Sequence, residues 1–413
     1  MKIKTKKIII VLLLLTSVFI NAQEAQINFI KSAKWEKVLK KAQKQGKLIF
    51  VDAYTTWCGP CKTMDKKVFT NKEVAAFFNE NFVNIKIDME KGEGIQLAKD
   101  WNIKAYPTLL YFNKMGEIVH RVVGFHKAKE FLTYSKMAID ENLMAINLQK
   151  RFDAGERGSA FMYDYLVSLR LGYHKELEKQ VSKDYLSSLS NEDLLKKENW
   201  KIIKYFMQNP CTKSFQYLVN NIDEVAAVNG VEEVNNKLYG TIDEQIKKWA
   251  YWRGDKPFET EKENNLFKFL QASNYQKSPI LIAKILVNRH KRSGDTDKYL
   301  AVLDHMIQFN LVSKSTDKLQ YAMDVINTIK SDVAWAKALQ WLNIAENEET
   351  RIEHKARILE AKSKILTKLG DKSEAELAAL EAKKADKEAE KAGTKIHYIP
   401  AIKMIVGGDP ENN

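Results

Sequence analysis

The sequence predicts an α/β domain, a central mixed sheet flanked by helices, followed by an all-α region of helical repeats or a bundle. Three observations carry this. From about residue 30 to about residue 141, apolar residues switch between helical spacing and strand runs. Two strand-like runs near the end of that stretch are joined by Asn113-Lys114-Met115-Gly116, a hairpin signal. From about residue 150, strand patterning fades. Helical stretches then alternate with short polar breaks such as Asn229-Gly230, Ser293-Gly294-Asp295 and Gly370-Asp371.

Each element has its own warrant. Trp35, Val38, Leu39 and Ala42 share one face of a helix that Gly46 ends. Lys47 to Tyr54 (KLIFVDAY) reads as a buried strand, and a helix carrying Met64 and Val68 follows. Asn71 is placed to cap a short helix with Val74, Phe77 and Phe78. Phe82 to Asp88 (FVNIKID) alternates as a strand, and Ile95, Leu97, Ala98 and Trp101 mark a helix. Pro107 opens the strand PTLLYFN, EIVHRVVG completes the hairpin, and a helix from about Lys127 to Glu141 closes the unit. The order α-β-α-(α)-β-α-β-β-α combines a parallel βαβ unit with an antiparallel hairpin. In the second region the clearest unit is 352–391, a helix–turn–helix about Gly370-Asp371 with small residues on the contact face. It resembles one tetratricopeptide-type repeat, so a solenoid of helix pairs is expected. The domain plan is 1–22, 24–147, 150–391 and a tail, 392–413.

Composition narrows the function classes. With 413 residues, 45% of them hydrophobic, the chain fits two or three domains with real cores. Its 7 prolines and 17 glycines exclude collagen-like and wholly disordered chains, and 3 cysteines exclude a disulfide-stapled scaffold. The formal net charge of +13 includes Lys2, Lys4, Lys6 and Lys7, which precede an apolar run from Ile8 to Ile20 and Asn21-Ala22. That is the pattern of a secretory signal peptide cleaved after Ala22, which places the mature protein in the periplasm. Left uncleaved, the same segment would tether it to the inner membrane. No apolar run of transmembrane length follows residue 22. The remaining positive charge forms no arginine-rich stripe with interleaved aromatics, so nucleic acid is not an expected partner.

The chemistry lies in Trp57-Cys58-Gly59-Pro60-Cys61, between a predicted strand and a predicted helix. The first thiol sits where unpaired N–H groups and the helix dipole favour negative charge, which lowers its pKa. The second is near enough to resolve a mixed disulfide. Pro60 enters the first helical turn at little cost because the N–H it lacks has no intrahelical acceptor there. A structural disulfide or half of a zinc site would use the same cysteines. Zinc, however, takes four ligands, and no second CxxC or CxxH is present. Asp52 follows apolar Ile49 to Val51, which argues for burial, and Pro107 either starts a strand or adopts the cis form. Cys211, after Pro210, reads as a packing thiol, and the seven histidines show no ligand spacing.

WCGPC, preceded by Phe50-Val51-Asp52-Ala53-Tyr54 and followed by Ala105-Tyr106-Pro107-Thr108, resembles the thioredoxin superfamily. The continuation through Asp65 and TNKEVAAFFNENF is more similar to exported thioredoxin-like reductase domains of the DsbD C-terminal type. The resemblance covers about residues 30–140 and implies a thioredoxin-like fold. It implies Cys58 as the attacking thiolate, Cys61 as the resolving thiol and Asp52 as a buried carboxylate aiding proton transfer at Cys61. It also implies Pro107 as a cis-proline facing the disulfide. Trp57, Gly59, Pro60, Tyr106 and Pro107 would form the substrate-binding surface, with the backbone of Tyr106 pairing an extended substrate. Two positions depart from the family. Asn84 stands where many members carry the lysine that pairs the buried aspartate, with Lys86 two places on along the same strand face. Tyr106 replaces the isoleucine usual before the proline. The expected cofactor is none beyond the redox-active Cys58–Cys61 disulfide. Expected partners are substrate proteins with disulfides or thiols, a membrane thiol electron donor and a protein bound by the helical region. Two other readings use the same residues: a helical scaffold whose first domain docks or senses redox state, and an isomerase or chaperone.

Overall fold

The computed structural model describes residues 26–30 and 34–394; the expected signal peptide and nearly all of the expected tail lie outside these. The structure has an α/β domain with a five-stranded mixed sheet, then a mostly helical region. Strands β1 (Phe29–Ile30), β2 (Leu48–Tyr54), β3 (Phe82–Asp88), β4 (Thr108–Phe112) and β5 (Ile118–Val123) lie in the order β1-β3-β2-β4-β5. β3 runs parallel to both β1 and β2, whereas β4 runs antiparallel to β2 and β5. This is the expected βαβ unit joined to an antiparallel hairpin. The two-residue β1 is an addition, too short to show a period of its own.

Central β2 is buried on both faces, which is why it reads as a continuous apolar run. Phe50 joins a core with Met64, Phe78, Tyr111 and Phe131, while Ile49, Val51 and Ala53 join a second core with Val38, Ile85 and Phe112. Helix α1 (Trp35–Gln45) buries Val38 and Ala42 and ends at Gly46, whose φ of 65° is the left-handed cap glycine accommodates best. Helix α2 (Gly59–Lys67) follows β2. Asn71 caps α3 (Lys72–Asn81) by accepting from the amides of Glu73 and Val74. Helix α4 (Gly94–Asp100) precedes β4, and α5 (Ala128–Met137) follows β5.

The chain divides into two compact units, one ending at Met207 and the other starting at Gln208. In the first, α6 (Ala145–Asp153) and α7 (Ser159–Leu171) pack on β5, an edge strand, with Ile146 and Val167 against the core that holds Val119 and Val122. His120 on β5 is buried with neither ring nitrogen hydrogen-bonded, and burial pushes it down to about 4, so it sits in the core as a neutral ring. The described residues of the second unit form helices joined by turns, packed around Leu303, Ala338, Trp341 and their neighbours. Ile352–Leu369 and Lys372–Lys391 form the expected helix pair, with Gly370 at φ 84° between them and Ala356, Ala375, Ala378 and Ala382 buried. No helix among the described residues is long and apolar enough to cross a membrane.

Candidate functional site

Cys58 and Cys61 form a disulfide with Cα atoms 5.3 Å apart at the start of α2. Cys58 is the N-cap: its backbone is extended, and its sulfur accepts from the Cys61 amide at 3.1 Å. The sulfur thus occupies the place where a capping oxygen normally sits, beside the positive end of the helix, an arrangement that stabilises a thiolate. Pro60 lies in the first turn. A Cβ on Gly59 would meet nothing within 4 Å, so the chain itself imposes no steric demand for glycine there.

Above the disulfide, whose cysteines are each only 2% exposed, Trp57 is 65% exposed. Its indole N–H donates to the carboxylate of Glu90 at 2.9 Å, and its ring meets that of Tyr106 edge-on at 6.0 Å. The Tyr106–Pro107 peptide bond is cis. Pro107 is anchored through its carbonyl, which accepts from Gly124 N–H at 2.8 Å. The Glu90 amide donates to Asp88 Oδ1 at 3.1 Å, and the loop between β3 and α4 closes tightly: a Cβ on Gly94 would lie 2.0 Å from the Asp88 carbonyl oxygen, so glycine is required there.

Below, Asp52 is fully buried on β2, and the register pairs it with Lys86 on β3. Lys86 Nζ lies 3.1 Å from Asp52 Oδ2 and also bonds Asp65 of α2. Asp65 follows Cys61 by four residues, so the two share a helix face. A chain of charges therefore runs from half-exposed Asp65, on the helix that carries the cysteines, through Lys86 to buried Asp52. Burial raises the Asp52 carboxyl to about 6, and Lys86 only partly offsets this. Burial also works against the Lys86 charge, yet Asp52 and Asp65 hold its pKa above the usual lysine value.

The cation beside Asp52 is supplied by Lys86, because the β2–β3 register sets residue 86, not 84, opposite residue 52. Asn84 is instead buried, donating to the Phe78 carbonyl. Two functional candidates were not foreseen, Asp65 and Glu90. Asp65 carried a signal in its four-residue spacing from Cys61; Glu90, 33 residues from Trp57, carried none. Cys211 belongs to the second unit, half-buried with its thiol pushed up to about 11 by burial.

Residues 35–138 match the thioredoxin-like domain family. The thiol:disulfide interchange protein DsbD of Colwellia psychrerythraea is 34% identical over 122 residues, which are 28% of this chain and 20% of that protein. The DsbD of Vibrio cholerae is 33% identical over 119 residues, 27% of this chain and again 20% of that protein. Among solved structures, a candidate disulphide-isomerase from Bacteroides thetaiotaomicron is 47% identical, covering 29% of this chain and 97% of that one, with a TM-score of 0.27. The chain thus spans only 20% of the length of either DsbD protein it matches.

Proposed function

Starting from a chain whose residues 35–138 form a thioredoxin-like domain, we propose that this protein is an exported thiol–disulfide oxidoreductase that reduces protein disulfides in the periplasm. The observation that carries the reading is the Cys58–Cys61 disulfide capping α2, with the adjacent Trp57 ring meeting Tyr106 of the cis Tyr106–Pro107 bond. The reaction begins with both cysteines reduced. The Cys58 thiolate attacks one sulfur of a substrate disulfide; that S–S bond breaks, and the other substrate sulfur leaves as a thiolate and is protonated. The backbone at Tyr106, beside Trp57, holds the substrate strand in this mixed disulfide. Cys61 then gives its proton to Asp52 and attacks the Cys58 sulfur, which expels the second substrate thiolate. The protein is left as the Cys58–Cys61 disulfide, and a membrane dithiol returns the two electrons.

A carboxyl near 6 suits this step, since it is mostly ionised at neutral pH yet basic enough to take a proton. The Asp65–Lys86–Asp52 chain offers that proton a route towards solvent. Support for a reducing direction comes from the Gly-Pro dipeptide, which matches reducing thioredoxins, whose potential is about −270 mV against about −120 mV for DsbA. The basic and then apolar residues 1–20 support export. Trapping tests the reading. With one disulfide-containing protein substrate, Cys61→Ser should accumulate a mixed disulfide that dithiothreitol releases, and Cys58→Ser should accumulate none. Mixed disulfides through Cys58→Ser, or none through either variant, would overturn it.

A further inference from the structure

A groove of about 810 Å³ lies wholly within the second unit, a size suited to a ligand of several residues. It is lined by the helices Val231–Ala250, Ser278–Ser293 and Ser315–Thr328 and the turns before the last two. These are alternate helices of the array, the arrangement by which stacked helix pairs present a continuous concave face.

The lining is neither a bare apolar trough nor a basic channel. Tyr239, Tyr251, Tyr275 and Tyr321 contribute rings, and side-chain amides such as Asn236 and Gln320 stand among them. Large rigid rings interleaved with amides suit an irregular polypeptide, giving contact area at small entropy cost and partners for backbone groups. Tyr275 adds a second observation, because its hydroxyl is buried without a hydrogen-bond partner. The charges set the sign of the ligand. Four lysines face two aspartates in the lining. Asp243 is engaged within the protein, since it pairs with Lys247 at 3.0 Å and with Lys284, which also donates to Tyr239 Oη at 2.9 Å. Lys277 and Lys314 are exposed and form no ion pair among the described residues.

We propose that this groove binds an extended segment of a partner protein that carries acidic side chains, with Lys277 and Lys314 pairing its carboxylates and the tyrosines packing its apolar side chains. A nucleic acid strand fits less well: its regularly spaced phosphates need a run of cations, and only Lys277 and Lys314 of the lining lysines stand outside ion pairs among the described residues, whereas a peptide can place one or two carboxylates away from Asp317. This proposal rests on the second unit and is independent of the dithiol chemistry.

The test uses the full chain and fluorescein-labelled nonapeptide pools of leucine, tyrosine and asparagine, one with aspartate and glutamate at fixed positions and one with lysine there. Anisotropy should show binding of the acidic pool and much weaker binding of the lysine pool. The double variant Lys277→Glu/Lys314→Glu turns two rim attractions into repulsions and should bind the acidic pool about tenfold more weakly, about 1.4 kcal/mol. Both lysines are surface residues, so the fold should survive, and an unchanged helical circular-dichroism melt of the full chain would confirm that the second unit is intact. Cys58→Ser should bind the acidic pool as the parent does, which separates failure of the groove from failure of the redox reading. Equal binding of both pools, no binding of either, an unchanged affinity in the double variant, or displacement by a thymidine oligonucleotide in preference to acidic peptide would overturn the proposal.

Discussion

Replacing Asp52 by asparagine should make the oxidised protein more stable at neutral pH. In the disulfide form Asp52 is fully buried, and its carboxyl is raised from 3.8 to about 6, with burial the largest cause. A carboxyl whose pKa is higher in the folded than in the unfolded chain binds more protons when folded. Its stabilising contribution is complete below about 3.8 and is lost as the pH rises through about 6. A shift of about two units corresponds to about 3 kcal/mol, carried as a penalty by the ionised group above that window. Asparagine carries no such penalty but gives up the Lys86 ion pair; Lys86 keeps Asp65. The net expectation at about pH 7.5 is a gain of roughly 1–3 kcal/mol for Asp52→Asn. The two proteins should converge near pH 4. Native-state hydrogen exchange of peptides spanning Leu48–Tyr54, corrected for intrinsic rates, reads this locally in a two-unit chain. Parallel stability–pH curves for parent and variant, or a variant less stable at every pH, would refute the argument. The same substitution should slow resolution of the mixed disulfide by about 10²-fold or more, the usual weight of a general base.

Four further outcomes follow from the geometry. Lys86→Met removes the cation that opposes burial at Asp52, so the midpoint of the pH–rate profile for mixed-disulfide resolution should move above that of the parent; an unmoved midpoint would separate Lys86 from the site. Glu90→Ala frees the Trp57 indole, and alkylation of reduced Cys58 by iodoacetamide should speed up while the reduction potential holds; an unchanged rate would show that Glu90 does not restrain access. Gly94→Ala drives a Cβ against the Asp88 carbonyl and should destabilise the first unit by about 1–3 kcal/mol in urea unfolding, whereas Gly59→Ala should leave stability within about 1 kcal/mol. With its thiol near 11, Cys211 should alkylate at about pH 8 some hundredfold more slowly than an ordinary exposed cysteine; a comparable rate would contradict its burial.

What the sequence made legible is what is local. WCGPC between a strand and a helix start, the apolar run of β2, the Asn71 cap and the proline after Tyr106 each occupy a few neighbouring residues, and each reappears in place. Relations across the fold were not legible. Residues 84 and 86 share a strand face, so periodicity cannot choose between them; the parallel register does, by placing Lys86 opposite Asp52. Glu90, in the loop after β3, meets Trp57 through a hydrogen bond between residues 33 apart, a pairing no local pattern marks. Two residues of β1 give no pattern to detect. In the helical region, polar breaks marked helix ends such as Gly294 and Gly370, but which helices pair depends on packing faces distant in sequence.

The central claim is that Cys58 and Cys61 form a reversible two-electron couple poised to reduce. Equilibrating the protein in thiol buffers of graded potential and trapping free thiols at each point tests this most directly. The expected result is a single two-electron transition near the reducing end of the range, about −270 mV. A transition near about −120 mV would make the protein a disulfide donor, and the absence of any reversible transition would remove the dithiol chemistry altogether.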